Sequence, residues 1–159
     1  MHAIKSFVLD KDVFLKNENK YLDLINSFYK SNGDSYEKLN IEDMIINKNV
    51  FYGLVMKDED IICLCRFAKM YDRKTIYCIR QINTLVEYSH KGFAALCYDT
   101  IQEYVKSKGG RKIISFVASD NINSKNLHRK CGYSSVLPNK TLRATNYYFE
   151  DSICYEKKI

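Results

Sequence analysis

The order of apolar runs predicts a mixed α/β fold, classed α+β: a mostly antiparallel sheet with one parallel β-α-β crossover in its C-terminal half. Two observations carry this. Three strand-like runs, 50–57, 61–70 and 75–86, follow one another with only the short polar stretches KDED and YDRK between them, the pattern of an antiparallel meander. An amphipathic run opening at Phe93 then leads into KIISFVA, Lys112 to Ala118, which is apolar almost throughout, as a strand buried on both faces is. Strand, helix and buried strand in that order make a right-handed crossover whose strands lie parallel.

The elements follow in order. The opening MHAIKSFVLDKDVF reads as a native strand, with Ala3 to Leu9 alternating. Tyr21, Leu22, Leu24, Ile25, Phe28 and Tyr29 keep helical spacing, and Asn32-Gly33 stops that helix. Asp34 with Glu37 resembles a capping box for a second helical stretch, with Leu39, Ile41, Met44 and Ile45 as its buried face. In the third strand the polar residues gather toward the C-terminal end. Phe93, Leu96, Cys97, Ile101, Tyr104 and Val105 mark a helix of about four turns, ended by Gly109-Gly110. After KIISFVA, SDNINS leads into a short helix, Ser124 to Lys130, with Gly132 as its stop. The remainder supplies one or two strands around a loop at Pro138. The predicted order is β-α-α-β-β-β-α-β-α-β-β.

Residues 1–159 are expected to form a single domain, because no linker, repeat or composition break divides the chain. Lys5 and Asp10 break the opening apolar run, so it lacks the centre of a signal peptide, and no run approaches a membrane span. A cytoplasmic location is therefore expected, with no membrane partner. None of the six cysteines (Cys63, Cys65, Cys78, Cys97, Cys131 and Cys154) forms a CxxC or zinc-like spacing, so no metal site is expected. Five lie inside apolar runs and read as reduced core residues; Cys131 precedes a glycine and is expected to be partly exposed. The net charge of +6 suits a polyanionic small ligand, an acidic partner or weak nucleic-acid binding, while the lack of an RNP-like motif, a zinc finger or a dense basic block argues against a nucleic-acid module.

The stretch EYSHKGFAALCYDTIQ, Glu87 to Gln102, joins the third strand to the long helix. A helix N-terminus attracts phosphate or carboxylate through its unsatisfied N–H groups and partial positive charge. Gly92 and Ala94 let the backbone approach an anion, and His90 and Lys91 add donors. It lacks the GK[ST] of a P-loop and the spaced glycines of a dinucleotide fingerprint. Alone it fits either an anion site or a tight turn that binds nothing. A second cluster, NINSKNLHRKCGY from Asn121 to Tyr133, follows the next parallel strand, which places both clusters at the carboxyl ends of adjacent strands, where ligands of open α/β sheets sit.

These two clusters in this frame resemble the GNAT superfamily of acetyl-CoA-dependent N-acetyltransferases. The first motif of that family is Q/R-x-x-G-x-G/A; Ser89 stands in the Q/R place, and Gly92 and Ala94 match the small positions. Its second is N-x-x-A-x-x-L-Y-x-K-x-G-F, which Asn121, Ser124, Leu127, Lys130, Gly132 and Tyr133 match outright or by close analogues. The resemblance implies that the strands ending near Thr84 and Ala118 splay apart, and that the pantetheine arm of coenzyme A enters between them. That arm would pair with main chain at Ile82, Asn83 and Thr84. The pyrophosphate would sit on amides from His90 through Lys91, Gly92 and Phe93 to Ala94, with Ser89 beside them among the residues that bind the coenzyme. Asn121 would contact the pantetheine or order the loop beneath it, Ser124 would border the coenzyme, and Lys125 and Arg129 would approach the 3′-phosphate or remain on a solvated helix face.

Two departures stand out. Ser89 replaces the usual Arg or Gln, which weakens one contact to the phosphates. His128 replaces the tyrosine that in many members protonates the departing thiolate; it is the candidate general acid here, the alternatives being a surface histidine or one that packs against the coenzyme. A main-chain N–H near Thr84 would stabilise the oxyanion. Glu87, Glu42 and Glu150 are carboxylates without a clear claim to be the base. The acceptor, an amine of a small molecule or a protein, is expected between 21–46 and 137–149, with Tyr29, Tyr36, Tyr147 and Tyr148 as possible lining. The resemblance thus implies an N-acyltransferase, monomeric or homodimeric, with acetyl-CoA or another acyl-CoA as co-substrate. The alternative it leaves open is a catalytically weak module that binds or senses acyl-CoA.

Overall fold

A computed structural model describes residues 3–33, 40–70, 73 and 75–159. The strands are β1 (Ile4–Leu9), β2 (Val50–Lys57), β3 (Asp60–Lys69), β4 (Ile76–Thr84), β5 (Lys112–Ala118), β6 (Ser134–Val136) and β7 (Ser152–Lys158). The helices are α1 (Lys11–Lys16), α2 (Glu18–Ser31), α3 (Ile41–Asn47), α4 (Phe93–Ser107), α5 (Ile122–Lys130) and α6 (Lys140–Arg143). One seven-stranded sheet in the order β1-β2-β3-β4-β5-β7-β6 holds them together. Every pairing is antiparallel except β4 with β5, the expected crossover.

The opening strand ends at Leu9, as its alternation predicts. Some local expectations change. The Asp10 carboxylate accepts from the Val13 N–H at 3.0 Å and starts α1, a helix that the spacing does not predict. Asn17 ends α1 and caps α2. The Asp34 and Glu37 capping box, Tyr36 and most of the YDRK turn lie outside the described residues; the cap found on α3 is Asn40, accepting from Asp43 N–H at 3.0 Å. Helix α5 begins two residues earlier than the spacing predicts, because the Asn121 side chain accepts from Ser124 N–H at 3.1 Å. The loop at Pro138 carries the additional short helix α6.

The sheet buries both faces. Helix α4 packs on one with Val55, Cys63, Cys65, Phe67, Tyr77 and Ile79 beneath it. Helices α1 to α3 cover the other over Leu9, Tyr52, Leu54 and Leu64. All six cysteines are free, five of them buried and Cys131 partly exposed.

Two features of β4 shape the centre of the molecule. Arg66 opposes Gln81 while Phe67 opposes Ile79, so Arg80 is the extra residue of a β-bulge. Ile79 and Ile82, three apart, consequently both pack on the α4 side. The β4–β5 ladder is also short, running from Ile76↔Lys112 to Ile79↔Ser115. Beyond it β4 continues to Thr84 and β5 to Ala118 without pairing to each other.

Candidate functional site

Where β4 and β5 part, a cleft of about 990 Å³ opens. Its walls are the free lengths of the strands, Arg80 to Thr84 and Phe116 to Ala118, together with the start of α4 and the inner side of α5. Alternate residues of a strand direct their N–H and C=O groups to opposite neighbours. Past Ile79, every second residue of β4 therefore turns its backbone groups toward a strand that has moved away. Such an edge is a template for an extended ligand with its own amides.

The loop between β4 and α4 closes one end. A single 3₁₀ turn, Val86–Tyr88, is followed by His90 with φ 59° and Gly92 with φ 87°. A Cβ on Gly92 would meet nothing within 4 Å, so what favours glycine there is its left-handed backbone, and the space beside it is open. The other α-helices among the described residues start on an Asp or Asn whose side chain accepts a backbone N–H. Helix α4 starts on Gly92 and has no side-chain cap. Its first N–H groups face the cleft with the helix dipole behind them, and no acidic residue sits in its first turn. Among the described residues that line the cleft there is no carboxylate, while His90 and Lys130 border it. The electrostatics suit a phosphate.

Of the residues singled out in the sequence, Ile82, Asn83, Thr84, Ser89, His90, Gly92, Phe93, Ala94, Asn121, Ser124 and His128 come together around this cleft. Others do not. Lys91 is exposed, with its Nζ 5.8 Å from the Tyr88 ring centroid. Lys125 donates to the Ser119 carbonyl at 3.1 Å, and neither it nor Arg129 lines the cleft. Ser89 lines it, but its hydroxyl donates to the Leu85 carbonyl at 3.4 Å and so braces the turn. Tyr29 is buried under the α2 face. Tyr147 holds its ring 4.3 Å from the Arg80 guanidinium, Tyr148 meets Phe116 edge-on at 5.8 Å, and the aromatic residue of that loop which reaches the cleft is Phe149. Glu42 and Glu150 are exposed. Glu87 borders a separate hollow of about 390 Å³ with Asp58, Asp60 and Ser27. No group of three or more His, Cys, Asp or Glu among the described residues can hold a metal ion.

His128 is the most constrained of the site residues. It is 1% exposed, stacked on Tyr155 at 5.2 Å and met edge-on by Tyr98 and Tyr133. Its Nδ1 lies 2.7 Å from the Ser124 carbonyl oxygen, with the Ser124 hydroxyl 3.4 Å away. A carbonyl can only accept, so Nδ1 carries the proton. In the neutral ring Nε2 is then the acceptor, and the Tyr98 hydroxyl, 3.2 Å away, donates to it. Burial pushes the histidine below its ordinary pKa, with the Ser124 carbonyl pulling the other way. The expectation that His128 itself protonates a leaving group meets a physical obstacle: the neutral tautomer has no N–H free to face the cleft.

Tyr98 was not among the expected site residues. It sits one turn beyond Ala94 on the same face of α4, and that i, i+4 relation was its available signal. It is 2% exposed and lines the cleft. Burial pushes its hydroxyl well above the ordinary pKa, so it stays protonated. The amide nitrogen of Asn83 is also notable, being buried without a hydrogen-bond partner.

Comparison with known proteins agrees with this architecture. A GNAT acetyltransferase from Desulfovibrio desulfuricans superposes with a TM-score of 0.71 at 14% identity, covering 99% of each chain. A GNAT-family acetyltransferase from Staphylococcus aureus gives 0.69 at 12%, covering 98% of this chain and 99% of the other. An aminoglycoside acetyltransferase from an uncultured soil metagenomic sample gives 0.68 at 10%, covering 92% and 95%. At such identities the likeness establishes the fold. No curated protein matches the sequence. The sequence profile of the Acetyltransferase (GNAT) family matches residues 19–133, more than half of the chain and all of both motifs. The chain belongs to the GNAT acetyltransferase family.

Proposed function

We propose that the protein transfers an acetyl or related acyl group from acetyl-CoA to a primary amine of a small molecule or protein, by direct attack of the amine on the thioester. The observation that carries this is the uncapped N-terminus of α4 opening into the cleft where β4 and β5 part. Amides of His90 to Ala94 hold the pyrophosphate there, with Lys91 adding only charge. The free edge at Ile82, Asn83 and Thr84 takes the pantetheine amides, and Asn121 and Ser124 border the arm from α5. Bound acetyl-CoA supplies an acyl group already activated as a thioester.

The chain's part is then to position and to stabilise charge. A backbone N–H of the free β4 edge near Thr84 donates to the carbonyl oxygen as it becomes an oxyanion; donors of this kind are worth about 3–4 kcal/mol where one has been removed from an enzyme. The acceptor enters the cleft, which passes through the sheet where β4 and β5 part, so that its nitrogen meets groups from both faces. Asn83 belongs to the α2 face, since Ile82 packs toward α4 while Leu85 joins the core under α2. The single sheet supports reading 1–159 as one domain. No helix among the described residues is long and apolar enough to cross a membrane, and six unpaired cysteines suit a reducing, cytoplasmic compartment.

The test is thermal stabilisation by acetyl-CoA and by CoA, followed by thiol release across a panel of primary amines. Stabilisation with both and release with an amine is expected. No stabilisation by either ligand sinks the reading. Stabilisation without release for any amine leaves a module that binds acyl-CoA.

A further inference from the structure

We propose that the proton moved during acyl transfer passes through Tyr98 to His128 and back, with Tyr98 the catalytic residue at the cleft and His128 the proton acceptor behind it. The proposal rests on the acyltransferase reading above.

Three observations meet here. The described lining of the cleft offers no carboxylate to act as base. Tyr98 and His128 both line it and are joined at 3.2 Å. The Ser124 carbonyl, 2.7 Å from Nδ1, fixes the tautomer that leaves Nε2 with a free electron pair, aimed at the hydroxyl. A hydroxyl both accepts and donates, so Tyr98 can receive a proton from the cleft while its own moves to Nε2. It never becomes a tyrosinate, which its burial would oppose.

The balance closes. The amine nitrogen forms a bond to the carbonyl carbon, and the carbonyl π pair moves to oxygen. The ammonium so formed gives a proton to the Tyr98 oxygen as the Tyr98 proton passes to Nε2. The resulting imidazolium is held at Nδ1 by the Ser124 carbonyl. The oxyanion then collapses, the C–S bond breaks and its pair stays on sulfur. The proton returns through Tyr98 to the thiolate, giving amide and thiol. The last transfer is downhill: a thiol of reference pKa about 8.5 holds a proton about 100-fold more tightly than a histidine of about 6.5, and burial of His128 widens the gap.

The groups facing the imidazole are Tyr98 from α4, Tyr133 after α5, Tyr155 from β7 and Ser124 from its own helix. Behind them lie the thiols of Cys65, Cys97 and Cys131, with Asp99 and Lys157 near Tyr133. His128 thus titrates below the ordinary histidine range, and the relay works above that point.

Two measurements test this on the full chain. Nitrogen NMR of the histidines, with His128 assigned by its loss in His128→Gln, is expected to find the proton on Nδ1 and none on Nε2 at neutral pH. Kinetics with the fastest amine of the panel are expected to lose about 100-fold in kcat in Tyr98→Phe, with KM for acetyl-CoA and the thermal shift by CoA unchanged. Once the ionisation of the amine itself is divided out, the wild-type kcat/KM falls on the acid side of one pKa below about 6.5, and that limb is absent in His128→Gln. A proton on Nε2, a wild-type rate in Tyr98→Phe or an unchanged acid limb in His128→Gln overturns the relay while leaving acyl transfer standing. Bound coenzyme with no turnover on any amine overturns both.

Discussion

Asn83 carries an amide nitrogen that is buried at the cleft wall and meets no acceptor within the protein. A buried donor without an acceptor costs about 1–3 kcal/mol, and a ligand in the cleft would supply one. Asn83→Leu removes the cost and the donor together. It is expected to raise the unfolding free energy of the ligand-free protein by about 1 kcal/mol, a rise of roughly 2–4 °C in Tm, while weakening amine turnover. A lower Tm with intact turnover would show that the amide is neither strained nor used. The identities of Gly92, Ala94, Asn121 and His128 were legible in the sequence, but not all their roles. His128 reads as a proton donor when only its position in a motif is known. What decides its tautomer is a carbonyl four residues back and a hydroxyl 30 residues away, and only the first of those is local. Ser89 likewise offers a hydroxyl to a phosphate until the turn folds it back onto Leu85.

At the scale of elements, α4 was legible almost to its ends, because Phe93 to Val105 keep a long apolar period and Gly109-Gly110 stop it. α1 and α6, of 6 and 4 residues, are too short for any period to declare itself. Gly53 of β2 shows how the long helix is seated. A Cβ there would come within 2.7 Å of Ile101 Cγ1 and 3.1 Å of Cys97 Sγ, so the helix lies against bare backbone. Gly53→Ala is expected to cost about 1–3 kcal/mol, read as a lower Tm, and to leave the loop chemistry in place. Gly92→Glu tests the other end. The left-handed φ costs about 1–2 kcal/mol in a residue with a Cβ, offset by about 0.3–1 kcal/mol because a carboxylate is favourable at a helix N-terminus. The variant should therefore stay folded, and its carboxylate occupies the place of the phosphates. Folded Gly92→Glu without any thermal shift by CoA is the expected result; a wild-type shift would move the anion site away from this loop.

At the scale of the molecule, the sheet consists of two parts, β1 to β4 and β5, β7 and β6, joined by the short ladder Ile76 to Ile79 and by α4. The sequence made the parallel crossover legible, since a buried strand after a long helix admits little else. The parting of the strands came only with the family resemblance; the sequence pattern did not reveal that the ladder stops at Ile79↔Ser115, or that β7 inserts between β5 and β6. Neither is a local feature: the second part of the sheet joins residues far apart in the chain, as where Leu142 of α6 packs with Ile114 and Cys78. A ligand in the cleft touches both parts and supplies the pairing that the strands lack, so its effect on stability should be global while its effect on local opening is confined. At 100 times its Kd, a ligand bound only by the folded state adds about 2.7 kcal/mol, roughly 5–10 °C in Tm for a chain of this size. Amide exchange should slow chiefly at 80–84, 89–95 and 116–118, where the free edges and the uncapped helix face the cleft, with little change in β1 and β2, which already pair along their lengths. Slowing centred instead on the hollow between α2 and the β2–β3 turn would place the coenzyme on the wrong side of the sheet and refute the cleft as its site.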